Sequence, residues 1–251
     1  MKTDSSPVIL AYHSINDQRN DSLSVHPEKF YWQIKYYLNR GYRSITLDDY
    51  YSNNYPEKTK LLIITFDDGY ADNYTNAFPI LKKLNCKAQI FLTVNFISTN
   101  DIFWWDEKNI NENNKAQYEI LNWSQIEEMQ DYGIHFGSHT LTHPKLTQIS
   151  YKQAQNEIVE SRNILNDKLG LNINSFCYPH GDCNNDIIKI VEDSGYKCAV
   201  ITSEGLPLND SAFNLKRIGI YNETSKIKFL FKNLIIFRIV NQYFINYSKN
   251  N

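Results

Sequence analysis

The sequence has no uninterrupted apolar run of membrane-spanning length, no excess of charge of either sign, no closely spaced cysteine pair and, beyond residue 180, no histidine. Each of these absences removes a class of protein. The first residues lead into a short apolar stretch, 8–12, too small for the core of a signal peptide, and charges interrupt the apolar C-terminal segment, which disfavours a transmembrane span. A cytoplasmic chain is expected. Lysine and arginine number 26 against 28 acidic residues, interspersed for a net charge of -2, so no basic surface is available for nucleic acid. Cys86, Cys177, Cys183 and Cys198 show no C-x-x-C spacing, which argues against a structural zinc and a thioredoxin-like redox motif. Buried free thiols are expected. Cys177 and Cys183 bracket residues 178–181, where a disulfide or a metal contact is the alternative, and a reducing cytosol argues against the disulfide.

What is present is an alternation. With 251 residues, 42% of them hydrophobic, the chain can bury the core of one globular domain. Short apolar runs at 8–12, 61–66, 88–93, 134–137, 175–178, 198–202 and 215–220 read as strands. Amphipathic segments lie between them: 27–40 stopped by Gly41, 125–132 with Ser124 as N-cap and Gly133 after it, and 151–169 between Ser150 and Gly170. This is an α/β pattern of parallel strands and crossover helices, and seven strands suit a closed barrel better than an open sheet. His13, the adjacent Asp67 and Asp68, His139 and His180 fall at or just past strand C-termini, which converge on one face of a β/α barrel and build its site. The connection from Asn95 to Asn122 is long enough to suggest a lid or binding loop, and it carries Phe103-Trp104-Trp105-Asp106.

Two strings carry the chemistry. Thr65-Phe66-Asp67-Asp68-Gly69 places two like charges at a strand end, which is costly without a cation or hydrogen-bond donors. Alone, an Asp-Gly turn explains it as well. Ser138-His139-Thr140-Leu141-Thr142-His143 supplies two imidazoles four residues apart, a spacing that on a helical turn faces both rings one way. One carboxylate and two imidazoles hold a divalent cation with open positions for water and substrate, and the second carboxylate is then a candidate base.

With these strings the chain resembles the polysaccharide deacetylase family, the carbohydrate esterases with a NodB-like domain. Residues 65–69, 139–144 and 176–181 match its three ordered motifs, and the resemblance extends from about His13 to Ile220. It implies a distorted (β/α)7 barrel that removes N-acetyl groups from the amino sugars of a glycan. It further implies that Asp68, His139 and His143 bind the metal, commonly zinc with nickel, cobalt, iron or manganese as alternatives, and that Asp67 is the general base. Tyr178, Pro179 and His180 then lie on the substrate and oxyanion side, with the backbone N–H at His180, where relatives often carry tyrosine, helping to hold the oxyanion.

The chain departs from the family pattern in two places. Many members take their general acid from a late Leu-x-His motif, and this chain has none. Tyr12-His13-Ser14 is similar to a string at the start of the subgroup acting on poly-N-acetylglucosamine exopolysaccharide. First and last strands adjoin in a closed barrel, so His13 is assigned as the acid. The arginine that many members place in the third motif is missing, and Arg217 on the last strand is the substitute, poised to fork onto Asp67. Trp104 and Trp105 are candidates for stacking on a pyranose face, with Trp105 taken as the sugar contact.

Residues 1–225 are assigned to the barrel and 226–251 to an amphipathic helix that either packs on it, the preferred reading, or lies on the inner face of a membrane. The expected substrate is an N-acetylated surface glycan or its lipid-linked precursor. The alternatives are a catalytically silent glycan-binding module on the same barrel, and a hydrolase of a small cyclic amide.

Overall fold

The computed structural model describes residues 7–111, 113–202 and 211–232. In chain order its strands are Val8–Tyr12 (β1), Ser14–Ile15 (β2), Ser24–Val25 (β3), Tyr42–Ile45 (β4), Lys60–Phe66 (β5), Gln89–Leu92 (β6), His135–Ser138 (β7), Ser175–Cys177 (β8), Cys198–Thr202 (β9) and Leu215–Gly219 (β10). The α-helices are Pro27–Leu38 (α1), Leu47–Tyr51 (α2), Phe78–Leu84 (α3), Trp123–Tyr132 (α4), Tyr151–Leu169 (α5) and Asn185–Asp193 (α6).

Seven parallel strands close a ring, β1-β10-β9-β8-β7-β6-β5 and back to β1, with the helices outside it. These are the seven read from the sequence, their ends shifted by at most one residue. The distortion of the barrel has a visible source. β4 pairs with the first half of β5, Tyr42 opposite Lys60 through Ile45 opposite Ile63, and β6 takes over only at Thr65. β4 escapes the sequence reading because it is short and half-exposed, with no apolar run. β2 and β3 form a separate two-residue ladder.

The period of two along each strand divides the core. Ile9, Leu61, Ile63, Phe91, Cys177 and Val200 fill the barrel interior, whereas Leu10, Leu62, Ile64 and Leu92 face the helices. Three inward series reach an ionisable side chain at the strand C-termini: Ile9 and Ala11 lead to His13, Ile63 and Thr65 to Asp67, and Leu215 to Arg217. Gly137 on β7 is the step before His139, and a Cβ there would lie 2.6 Å from the Phe91 ring.

Helix boundaries follow their caps. Ser150 and Gln153 form the capping box of α5, and Gly170 ends it with φ 63°. The N-cap of α4 is Asn122 rather than Ser124: the Asn122 side chain accepts from the Gln125 N–H while the Gln125 side chain accepts from the Asn122 N–H. A reciprocal pair satisfies two backbone donors, which the serine two residues later would leave open.

Of the C-terminal segment, residues 226–232 are helical, and Phe229 is buried among the rings of Trp32, Tyr36 and Tyr37 at centroid distances of 5.5–5.8 Å. The Lys232 ammonium donates to the Gly219 carbonyl at 2.7 Å. The remainder of the expected helix, 233–251, lies outside the described residues. No described helix is long and apolar enough to cross a membrane.

Candidate metal and acid-base site

β5 delivers the two aspartates in different directions. The Asp67 N–H donates to the Tyr12 carbonyl at 2.9 Å, which extends the β1–β5 pairing one step and keeps the Asp67 side chain inward. The chain then turns at Asp68 and Gly69, both at positive φ (71° and 86°), a conformation that aspartate tolerates and glycine favours. A Cβ on Gly69 would come within 2.9 Å of Leu92, so the turn also needs the missing side chain.

Asp67 is gripped by Arg217. The guanidinium donates from Nη1 to Oδ1 at 2.7 Å and from Nη2 to Oδ2 at 2.6 Å, a two-pronged fork, and steadies itself on the hydroxyls of Thr65 (2.9 Å) and Thr202 (2.8 Å). Burial favours the neutral acid at Asp67, but the Arg217 charge and hydrogen bonds outweigh it and hold the carboxyl well below the usual range. Arg217 is therefore no surface residue; it is 4% exposed. His13 stands on the other side, its Nε2 3.9 Å from Asp67 Oδ2 and its ring stacked on Tyr221. Burial lowers the His13 pKa below the usual imidazole value, against the pull of Asp67.

Asp68 is in the opposite condition. It is buried, and its Oδ1 has no hydrogen-bond partner among the described residues. That oxygen lies 3.5 Å from His139 Nε2 and 3.5 Å from His143 Nε2, and the two imidazole nitrogens are 3.1 Å apart. Ligand atoms about 2.0–2.1 Å from one tetrahedral ion sit about 3.3 Å from each other, so the triangle has the size a small divalent cation requires. The donor chemistry agrees. His139 Nδ1 donates to the Cys177 carbonyl at 2.8 Å, which leaves the lone pair on Nε2 facing the triangle. Burial pushes the His139 pKa down to about 4 and His143 lower still, so both rings are neutral, the form in which imidazole can bind a metal. Burial and the neighbouring Asp67 drive Asp68 well up, the penalty of a carboxylate here without a cation.

A second triangle, Asp67, His139 and Cys177, is as compact but does not suit an ion. Both Asp67 oxygens are taken by Arg217, and burial pushes the Cys177 thiol well above its usual range. The four cysteines are free thiols, with Cys183 half-buried and the others buried, so no disulfide joins 177 to 183, and Cys183 belongs to neither candidate metal-holding group found among the described residues.

The two histidines do not converge on a helical turn. Residues 139–143 form a loop in which Thr140 (φ 68°) and His143 (φ 63°) are both left-handed, a strained arrangement that turns the second ring back onto the first. Glu157 of α5 holds the loop, one oxygen accepting from the Leu141 and Thr142 N–H groups at 2.8 and 2.9 Å and the other from the Thr142 hydroxyl. Nothing in the sequence pattern marked Glu157.

These groups line a cleft of about 460 Å³ at the strand C-termini, together with Trp105, Asp106, Lys108, Tyr178, His180, Thr202 and Tyr221. The model of the polysaccharide deacetylase family matches residues 54–199, more than half of the chain. The chain belongs to the polysaccharide deacetylase family. It is 30% identical over 216 residues to YxkH of Bacillus subtilis (strain 168), covering 84% of this chain and 70% of that protein. It is 27% identical over 246 residues to the poly-beta-1,6-N-acetyl-D-glucosamine N-deacetylase of Staphylococcus epidermidis, covering 87% and 80% of the two chains. The solved structure of the Streptococcus pyogenes deacetylase PplD in complex with acetate superposes with a TM-score of 0.75 at 29% identity, covering 91% of this chain and 98% of that one.

In this deacetylase fold the remaining residues singled out from sequence have distinct fates. Trp105 lies in the cleft with its ring 4.5 Å from that of His143, whereas Trp104 is 64% exposed beside it. His180 flanks His143 from the other side at 4.6 Å, in a left-handed conformation (φ 58°) at the rim. Tyr178 borders the cleft, but its hydroxyl donates to the Phe213 carbonyl at 3.0 Å, and Pro179 is buried. Tyr221 and Asp106 also reach the cleft. Asp106 was visible in the Trp-Trp-Asp string, while Tyr221, outside any motif, gave no signal.

Proposed function

We propose that this chain is a metal-dependent N-deacetylase acting on the N-acetylated amino sugars of a bacterial-type surface glycan or its lipid-linked precursor. The observation that carries the reading is the partnerless, buried Asp68 oxygen, equidistant from two neutral imidazole nitrogens and next to a second aspartate held ionised by an arginine fork. Asp68, His139 and His143 would hold the divalent cation, with zinc the first expectation. Once bound there, it would polarise the acetamide carbonyl and make water a better nucleophile.

The rest is the work of side chains. Asp67, kept ionised by Arg217, takes a proton from the attacking water as its oxygen bonds to the acetyl carbon. The backbone N–H at His180 donates to the oxyanion that develops on the carbonyl. His13 gives its proton to the amide nitrogen as the C–N bond breaks, releasing acetate and a free amine. The acetate bound by PplD and the poly-N-acetylglucosamine substrate named for the Staphylococcus epidermidis relative support this choice of reaction and substrate class.

The test is acetate release from N-acetylglucosamine oligomers of differing linkage and length, alongside small cyclic amides, with metal content measured on the same sample. One divalent ion per chain and acetate release abolished by chelation and restored by zinc are expected. Undiminished activity in metal-depleted protein, or no acetate from any N-acetylated glycan by metal-loaded protein, would overturn the proposal.

A further inference from the structure

We propose that Arg19, a residue outside the cleft, is a positioning residue that clamps the connection between β6 and α4 so that Trp105 is held against His143. This rests on the reading of Asp68, His139 and His143 as a metal site.

Arg19 lies between β2 and β3, and its side chain is fully buried. Its Nε donates to Asp21 at 2.8 Å and its Nη2 to Asp106 Oδ1 at 3.2 Å. Its guanidinium carbon is 4.3 Å from the ring centre of Tyr70 and 4.1 Å from that of Tyr118. One side chain therefore reaches the early part of the long connection, at Asp106, and its late part, at Tyr118. The backbone fastens the late part independently, with Ala71 N–H donating to the Glu119 carbonyl at 2.8 Å and Leu121 N–H to the Gly69 carbonyl at 2.9 Å. Near Asp106 the connection is held mainly by side chains.

From Asp106 the hydrogen bonds run toward the cleft. An indole N–H can only donate, so Trp105 Nε1 gives its proton to the Tyr70 hydroxyl at 3.0 Å, and that hydroxyl must donate its own to Asp106 Oδ2 at 2.6 Å. Trp105 is stacked on Phe103, with centroids 4.3 Å apart and planes 7° from parallel, which leaves its other side to His143. A buried arginine between two carboxylates can be explained as charge neutralisation alone. Here the chain of contacts does not end at the carboxylates; it ends on the ring of a candidate metal ligand, and Arg19 holds its far end.

The test uses the full chain. Arg19→Met removes the clamp but strands Asp106 as a buried charge, so the principal variant is Arg19→Met with Asp106→Asn, and Arg19→Lys retains the charge without the fork. In a background with Trp32, Trp104 and Trp123 changed to Phe, Trp105 is the sole tryptophan, and acrylamide quenching of its fluorescence reports whether it has left its stack. We expect increased quenching in the double variant, with a smaller increase for Arg19→Lys. Zinc affinity is expected to fall about 10–100-fold, the usual cost of losing a group that orients a ligand. The loss in kcat on a glycan substrate should disappear when Arg19→Met is introduced into Trp105→Phe. Unchanged quenching and zinc affinity in a folded double variant would overturn the clamp, and so would an Arg19 effect on kcat that is undiminished in Trp105→Phe. If quenching and zinc affinity change as expected but no glycan releases acetate, the functional reading fails and the clamp stands.

Discussion

Strand β7 has a histidine at each end, and each faces an Asp-Asp pair. At its N-terminal end His135 meets Asp48-Asp49; just past its C-terminal end His139 meets Asp67-Asp68. The ingredients are the same, but the two ends are resolved differently. Asp48 accepts from His135 Nδ1 at 2.9 Å and from Asn174 at 3.0 Å. Asp49 accepts from the Thr46 N–H, Lys87 and Asn54, and although burial opposes it, these partners hold its carboxyl below the usual range. Every carboxylate oxygen at that end is accounted for, at the mouth of a short helix whose N-terminus welcomes negative charge. At the other end Asp67 is equally well held, while Asp68 Oδ1 is buried among neutral nitrogens with nothing to accept from. A satisfied acidic pair contributes structure; an unsatisfied one contributes a place for a cation. Which of the two an Asp-Asp dipeptide becomes depends on the partners that the fold brings to it.

The contrast can be broken in four places. The largest effect is expected from Asp68→Asn and His139→Ala, which should lose bound metal and activity together, as read by metal analysis and acetate release. Retention of stoichiometric metal in both would place the ion elsewhere. Next, Asp67→Asn should keep metal but lower kcat by about 10²–10⁴-fold, the range of a positioned base.

His13→Gln should cost a similar factor, about 10²–10⁴-fold, and change the shape of the pH profile. His13 donates only when protonated, and burial has lowered its pKa, so kcat/KM should fall as pH rises through a value below the ordinary histidine pKa of about 6.5. Asp67 stays ionised throughout, so it sets no acid limb in that range. An alkaline limb that persists unchanged in His13→Gln would remove the histidine from its role. The smallest effect belongs to the other end of β7: Asp48→Asn breaks a partly exposed pair worth about 0.2–1 kcal/mol, a Tm change of at most about 2–4 °C, with kcat/KM and metal content unchanged. A loss of metal there would erase the distinction between the two ends.

Much of the site was legible in the chain because short motifs sit at strand ends and strands alternate. His13, Asp67 and Arg217 each continue an inward-facing series by one step, so the barrel pattern places them on one rim. Other features were illegible for local reasons. The two histidines of the candidate metal site converge through left-handed residues at 140 and 143, whereas their spacing alone suggests a helical turn, and Thr140 is β-branched, the type of residue least expected there. The N-cap of α4 went to Asn122 because reciprocal capping was available two residues earlier than the serine suggested. Arg19 sits in no motif, and its partners lie 87 positions away at Asp106 and far along the same connection at Tyr118.

The sequence alone carried the alternation of strands and helices and the carboxylate and imidazole strings at strand ends, since these depend on local pattern and order. Only the closed barrel set Arg217 in a fork around Asp67, with 150 positions between them, and left the Asp68 oxygen without a partner. Hydrogen-bond satisfaction is a property of the whole three-dimensional neighbourhood. No stretch of chain specifies what its carboxylates will lack until the neighbours from other strands have arrived.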